Sequence, residues 1–301
     1  MVFRFVPQKE HTGQRIDQFI PVIDPSFSRS KIRKIIDIGG VHVGGRRLRK
    51  CSYPVQAGER IEVHVDGRPL EIFSLTPENI IYQDPYIVVI EKPPGVETQP
   101  TPARYKGTLY EALLRYLANP FRPQDTPELG MVQRLDRDTS GILVFSTHAR
   151  SHKNLTHSFA SHQVEKRYLA LVSGRPEKEH GEIHSFLARR RSDNRMKSVE
   201  RGGKEAITRY RVLQTISGCS LLEVEILTGR SHQIRVHLTE AGHPLLGDTR
   251  YGGLDHVESL SVGRQMLHAW KIVFPHPVYG DVKVLEAPVP SDMKRVVEEL
   301  S

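Results

Sequence analysis

The chain has 301 residues, 38% hydrophobic and 26% charged, which is enough for one large domain and one small one, each with its own core. No run approaches the roughly 18 apolar residues of a membrane span, and the opening MVFRFVPQKEHTGQR lacks the apolar core of a secretory signal. Two cysteines exclude a disulfide framework and fit a reducing cytoplasm, while a net charge of +8 favours a polyanionic partner.

In chain order, residues 1–68 read as a small α/β unit. Ile16, Phe19, Ile20 and Ile23 share one helical face, and Ile32, Ile35, Ile36 and Ile38 do the same for a helix over 30–38 that Gly39-Gly40 ends. Val41 and Val43 alternate as a strand, Gly44-Gly45 turns, and Ile61, Val63 and Val65 make a later strand. Between Ser26 and Lys50 lie eight Lys or Arg against one Asp, among them Arg29, Lys31, Arg33, Lys34, Arg46 and Arg47. So concentrated and unopposed a cluster predicts an RNA or DNA footprint; a merely solvated helix face is the bland alternative.

Residues 69–79 read as a linker and 80–301 as the main domain. Two short buried strands flank Asp84-Pro85, and Lys92-Pro93-Pro94-Gly95 stops the second. Thr108 and Glu111 have the spacing of a capping box before an apolar stripe from Leu109 to Leu117, and 119–130 is a loop. Strand-like runs (142–145, 168–172, 221–227, 283–285) then alternate with helical segments, which predicts an α+β fold on a mixed, largely antiparallel sheet. A second basic focus, Arg189 to Arg211, holds nine Lys or Arg against three acids.

The stretch richest in chemistry is Val132-Gln133-Arg134-Leu135-Asp136-Arg137-Asp138-Thr139-Ser140-Gly141, leading into the apolar run ILVF. Asp136, beside apolar Leu135, can point into a cleft; Asp138 competes with it, and an ordinary polar turn is the plain reading. Farther on, a strand ends at Gly229, Ser231 can cap a helix carrying Ile234 and Leu238, and Gly242 can stop it. Arg235 then lies near a strand end, as a cleft residue, a surface arginine or a structural ion pair. His232, His237 and His243 have no metal-ligand spacing, and His148, His152, His157 and His162 read as a polar helix face.

Arg134-Leu135-Asp136…Thr139-Ser140-Gly141 resembles the signature of the RluA-type RNA pseudouridine synthases. Glu91–Gly95, Lys166–Val172, the string TGRSHQIRVH from Thr228 to His237, Gly242–Asp248 and Leu267-His268-Ala269 continue the resemblance in order. Residues 28–45 with the AGERIEV close resemble an S-four-type RNA-binding domain. Gln133 stands where the family usually has histidine. The resemblance implies a pseudouridine synthase fold in which Asp136 is the catalytic carboxylate, Arg235 its ionic partner and Tyr168 the ring that stacks on the base. It also implies that Arg134 displaces the base, that Arg134 and Arg230 with the 189–204 strip hold RNA, and that no metal or cofactor takes part.

Such chemistry breaks the bond from ribose to uracil nitrogen and rejoins the sugar at carbon 5, through either a nucleophilic carboxylate or a glycal-like route. The expected substrate is structured RNA, large-subunit ribosomal RNA first and transfer RNA second, bound by a monomer. A non-catalytic RNA-binding or ribosome assembly factor, and a metal-dependent nuclease using Asp136 and Asp138, are the competing readings.

Overall fold

The computed structural model describes residues 1–122 and 124–301, which pack as two units, 1–76 with 96–126 and 77–95 with 127–301. In the first, helix α1 (Ile16–Ile23) buries Ile16, Phe19 and Ile20, and α2 (Arg29–Ile38) buries Ile32, Ile35 and Ile36. Both follow from apolar residues recurring on one face of a 3.6-residue period. Ser28 Oγ caps α2 by accepting from the Lys31 amide at 3.1 Å, and Gly39, at φ 89°, ends it. Strands β1 (Val2–Phe5), β2 (Val41–Val43), β3 (Arg46–Arg47) and β4 (Ile61–His64) form an antiparallel sheet in the order β1-β4-β2-β3. The core of this unit lies between helices and sheet, with Phe27 edge-on to Phe3 at 4.8 Å.

Residues 96–126 were expected within the 80–301 domain, yet they pack with the first unit. The cause is a set of polar anchors. Arg104 donates to the Pro69 and Glu71 carbonyls at 2.7 and 2.9 Å and to Asp66 at 3.2 Å, and the Tyr105 amide donates to the Ile38 carbonyl at 2.7 Å. Part of the expected linker is thereby pinned. Helix α3 (Leu109–Leu117) belongs here too, capped by Thr108; the Glu111 carboxylate accepts from the Gly107 amide at 2.9 Å, not from Thr108, so the capping box closes one residue early.

The second unit is built on an eleven-stranded sheet. Its members are β5 (Ile80–Gln83), β6 (Ile87–Lys92), β7 (Gly130–Met131), β8 (Ser140–Ser146), β9 (Glu165–Ser173), β10 (His180–Arg189), β11 (Met196–Val199), β12 (Lys204–Ile216) and β13 (Cys219–Ile226). A separate ribbon, β14 (His256–Val257) with β15 (Leu260–Ser261), precedes the last two, β16 (Leu267–Pro275) and β17 (Val282–Glu286). The order is β11-β10-β12-β13-β9-β16-β8-β6-β5, with β17 paired to β16 and β7 to β8. Among the described residues its pairings are antiparallel except β16 with β8, so the expected mixed, largely antiparallel α+β architecture holds. Helices α4 (Ala149–Ala160), α5 (Gln233–Glu240) and α6 (Ser291–Leu300) complete the unit.

Strand β8 is buried along its whole length, as a strand covered on both faces must be. At its start Gly141 sits at φ 118°, and a Cβ there would lie 2.1 Å from the Ala269 carbonyl oxygen. Only glycine lets β8 approach β16 this closely. That junction places the preceding loop, residues 132–139, beside β16 and one strand away from β9.

Candidate active site

The loop ahead of β8 is held mainly through its backbone. Lys92 is fully buried, and its ammonium donates to the carbonyls of Arg137 at 2.7 Å and Pro93 at 2.9 Å. The Gly95 amide donates to the same Arg137 carbonyl at 3.0 Å. From the other side Arg264 donates to the Asp138 carbonyl at 3.0 Å while forking onto Asp292 at 2.6 and 2.9 Å. Gln265 donates to Thr139 Oγ1 at 2.8 Å, and Ser140 Oγ meets His268 Nδ1 at 2.9 Å. Burial pushes the His268 imidazole down to about 4, so it is neutral at pH 7. The Lys-Pro-Pro-Gly turn and the Leu-His-Ala segment are therefore clamps on this loop.

Its two carboxylates have separate partners. Asp138 is forked by its neighbour Arg137, with Nε to Oδ1 at 2.6 Å. Asp136, whose side chain keeps 27% of its exposure, accepts from Arg235 Nη1 through Oδ2 at 2.8 Å. Arg235 is 7% exposed, and its other two donors grip buried Asp248 at 2.7 and 2.8 Å. Burial works against the charge on Arg235, but the Asp248 bonds and the Asp136 charge outweigh it and hold the guanidinium above its usual range. Tyr251 lies under the same group, ring centroid 4.9 Å from Cζ.

Tyr168, on β9, is 7% exposed. Burial pushes its phenol well above the usual range, and the negative charge of Asp136 adds to the shift. The expected trio is thus assembled: Arg235 bonds Asp136 directly, and Tyr168 feels its charge.

Helix α5 starts differently from expectation. Ser231 does not cap it; the N-cap is His232, at φ 54° and with no side-chain cap bond. Gln233 organises the turn instead. Its carbonyl accepts from the Arg230 amide at 3.0 Å and Thr228 Oγ1 at 2.8 Å, and its NH2 donates to Ile207 O and Thr208 Oγ1. His232 faces the site, Nε2 lying 3.8 Å from Asp136 Oδ1. His237 is spent on Thr208 Oγ1 and Ser185 Oγ at 2.9 and 3.0 Å. Among the described residues no group of three or more His, Cys, Asp or Glu could hold a metal ion.

The expected RNA contacts fare unevenly. Arg134 is exposed with no partner among the described residues, whereas Arg230 donates to the Glu205 carbonyl at 2.7 Å. Lys166, unassigned by the sequence reading, has its ammonium pushed down by burial and by the like charge of Arg230. In the first unit Arg29 pairs with buried Asp17 at 3.1 Å, beside Arg15 at 2.9 Å. Arg29, Arg33 and Lys34 line an open groove with Ile38, Leu70 and Ile72. Lys31 and Arg46 are exposed, but Arg47 is turned inward onto the Gly39 and Thr101 carbonyls. Gln133 leaves its amide nitrogen buried without a hydrogen bond, a penalty of about 1–3 kcal/mol.

Residues 86–240 match the family described as RNA pseudouridylate synthase, and residues 14–61 match the S4 domain. The chain belongs to the RNA pseudouridine synthase family. It is an isomerase of that family, converting uridine to pseudouridine in RNA, with an N-terminal S4 domain. It is 38% identical over 300 residues to an uncharacterized RNA pseudouridine synthase of Aquifex aeolicus, covering 95% of this chain and 94% of that one. It is 34% identical to the ribosomal large subunit pseudouridine synthase D of Nitrosomonas europaea, covering 96% and 85% of the two chains. Its fold is similar to that of human RNA pseudouridylate synthase domain containing 4 (TM-score 0.60, 25% identity, 74% of this chain and 93% of that one). Asp248, His232 and Tyr251 are the site residues that sequence reasoning missed. Asp248 closes the Gly242–Asp248 run noted there, but nothing in its spacing reveals a bond to Arg235.

Proposed function

We propose that Asp136 is the catalytic carboxylate of uridine isomerisation, that Arg235 holds it in place, and that Tyr168 forms the apolar wall against the base. The observation that carries this reading is the chain of bonds Asp136–Arg235–Asp248, in which one carboxylate is buried and the other keeps an open edge. Asp138 lacks that setting, being tied to its own neighbour. With its phenol neutral, Tyr168 is a stacking and packing group rather than a base.

The target nucleotide must leave its stack to reach Asp136, which costs a few kcal/mol. Arg134 is placed to fill the vacated space, and Lys166 and Arg230, two cations with like-charge repulsion between them, to bind a phosphate of the extruded strand. The exposed cations of α2 and Arg46 supply a sequence-independent grip on folded RNA. Large-subunit ribosomal RNA is the proposed substrate, supported by relatives of that name, with transfer RNA second.

Asp136→Asn should abolish pseudouridine formation in a total ribosomal RNA substrate, read by nucleoside mass spectrometry, while RNA affinity stays within about threefold. Activity surviving in Asp136→Asn and disappearing in Asp138→Asn would reverse the assignment. Unmodified RNA from the wild-type protein on both ribosomal and transfer RNA would favour a pure binding factor.

A further inference from the structure

His232 carries a fixed hydrogen-bond donor that the reaction as described leaves unused. The Met196 amide donates to the Tyr251 hydroxyl at 3.0 Å, and the same oxygen lies 2.7 Å from His232 Nδ1. Tyr251 is 8% exposed, so its own proton needs an acceptor, and among the described residues His232 Nδ1 is the acceptor within reach. Tyr251 therefore donates to Nδ1. A neutral His232 must then carry its proton on Nε2. Burial lowers the imidazole from its ordinary value, and the cations Arg235 and Arg250 add to this against the opposing Asp136 and Asp248, so neutral is the form present at pH 7.

The Nε2–H so defined belongs to a nitrogen 3.8 Å from Asp136 Oδ1, too far for a direct bond. Oδ1 is the oxygen that Arg235 does not occupy. A donor and an acceptor at that separation are complementary to one chemical group, a hydroxyl, which can accept from the first and donate to the second. With Asp136 the catalytic carboxylate proposed above, in a reaction that breaks and remakes a bond at the ribose, the hydroxyl closest to the reacting carbon is the ribose 2′-OH. We propose that His232 Nε2–H and Asp136 Oδ1 bracket the 2′-hydroxyl of the target uridine, and that this pair makes the pocket select ribose over deoxyribose.

Reading the 2′-OH is how a protein separates RNA from DNA at a single position. The basic 189–204 strip takes part, because the Met196 amide that donates to Tyr251 lies at the start of β11. RNA engaged by that strip is thereby connected through three hydrogen-bonding groups to the donor in the pocket. This role is one of substrate specificity, distinct from that of Asp136, although it rests on Asp136 being the catalytic carboxylate.

The test uses the full chain and two versions of one short RNA hairpin that the wild-type protein modifies, with either uridine or 2′-deoxyuridine at the target. For wild type, kcat/KM should fall about tenfold or more on the deoxy substrate, the value of one good hydrogen bond. His232→Asn, an exchange that tolerates the positive φ, should lose about tenfold on the ribo substrate and discriminate between the two by less than threefold. Tyr251→Phe leaves the imidazole in place but frees its tautomer, and should lose part of the discrimination. Nitrogen-15 shifts of the His232 ring should show the proton on Nε2 in wild type and a mixture in Tyr251→Phe. Full ribose selectivity in His232→Asn, or a proton found on Nδ1 in wild type, would overturn the proposal. Loss of activity in Asp136→Asn alongside either result would leave the catalytic reading standing, whereas activity surviving in Asp136→Asn would fail the catalytic reading itself.

Discussion

Asp248 is the most exacting place to test the electrostatics of the site. Its side chain is 1% exposed and makes two charge-assisted bonds to Arg235, at 2.7 and 2.8 Å. Deleting one partner of a buried ion pair costs about 3–5 kcal/mol, because the other charge is left without compensation. Asp248→Ala should reach that range. Asp248→Asn keeps an oxygen for one of the two bonds, so about 2 kcal/mol is expected, a fall of roughly 4–8 °C in the unfolding temperature of a unit this size. The kinetic effect has another origin. Arg235 would keep its 2.8 Å contact with Asp136 but lose the fork that sets its plane, and a misplacement near 1 Å costs on the order of 100-fold. Release of tritium from RNA labelled at uracil carbon 5 measures this: kcat for Asp248→Asn should drop about 10- to 100-fold with KM within about threefold. A variant with wild-type kcat and an unchanged unfolding temperature would refute the claim that Asp248 fixes Arg235.

Acid should destabilise the second unit through His268. Burial holds it at about 4 in the folded protein, below the ordinary histidine value of about 6.5, so between those pH values the unfolded chain takes up a proton that the folded one refuses. Stability is intact above pH 6.5 and falls on acidification toward 4, by up to about 3 kcal/mol. Urea unfolding at pH 7, 5.5 and 4.5 should show a slope that His268→Gln flattens; parallel curves would rule the histidine out. Gly141→Ala, whose new methyl would sit 2.1 Å from the Ala269 carbonyl, should separate β8 from β16, and soluble yield and near-ultraviolet circular dichroism report it. In the first unit, Lys34→Ala and Arg46→Ala should each weaken RNA binding and reduce the salt slope by about 1, without changing stability. Arg47→Ala should instead lower the unfolding temperature, since its guanidinium is committed to two backbone carbonyls; RNA titrations at several salt concentrations with parallel melts separate the two behaviours.

Local signals were the legible ones. The isoleucine spacing of α1 and α2, the Gly39 stop, the strand alternation of β2 and β4 and the apolar run of β8 are all carried within one or two turns of chain. The Asp136 loop was legible as a motif, and Lys92 and His268 as parts of others, but not their task of gripping its backbone. Long-range pairings were not legible from local pattern. Arg235 was expected beside Asp136 through the family resemblance alone, since 99 positions separate them, and the Arg104 anchors that draw 96–126 onto the first unit cross 33 to 38. Ser231 looked like a cap because its residue type is right; the backbone turns left-handed at His232, and Gln233 takes over the satisfaction of that turn.

The parallel junction, His268 with Ser140 and Ala269 with Gly141, has a consequence for how the enzyme comes into being. Several antiparallel pairs in the sheet, β5 with β6, β12 with β13 and β16 with β17, are joined by short connections, whereas the Ser140–His268 bond closes 128 positions of chain. Long closures form late because their entropy is lost before contacts reward it. The strand groups therefore mature first, and Asp136 acquires its fixed setting only when β16 docks beside β8. During synthesis the N-terminal S4 domain emerges well before that moment, so the exposed cations of α2 are in place before Asp136 is.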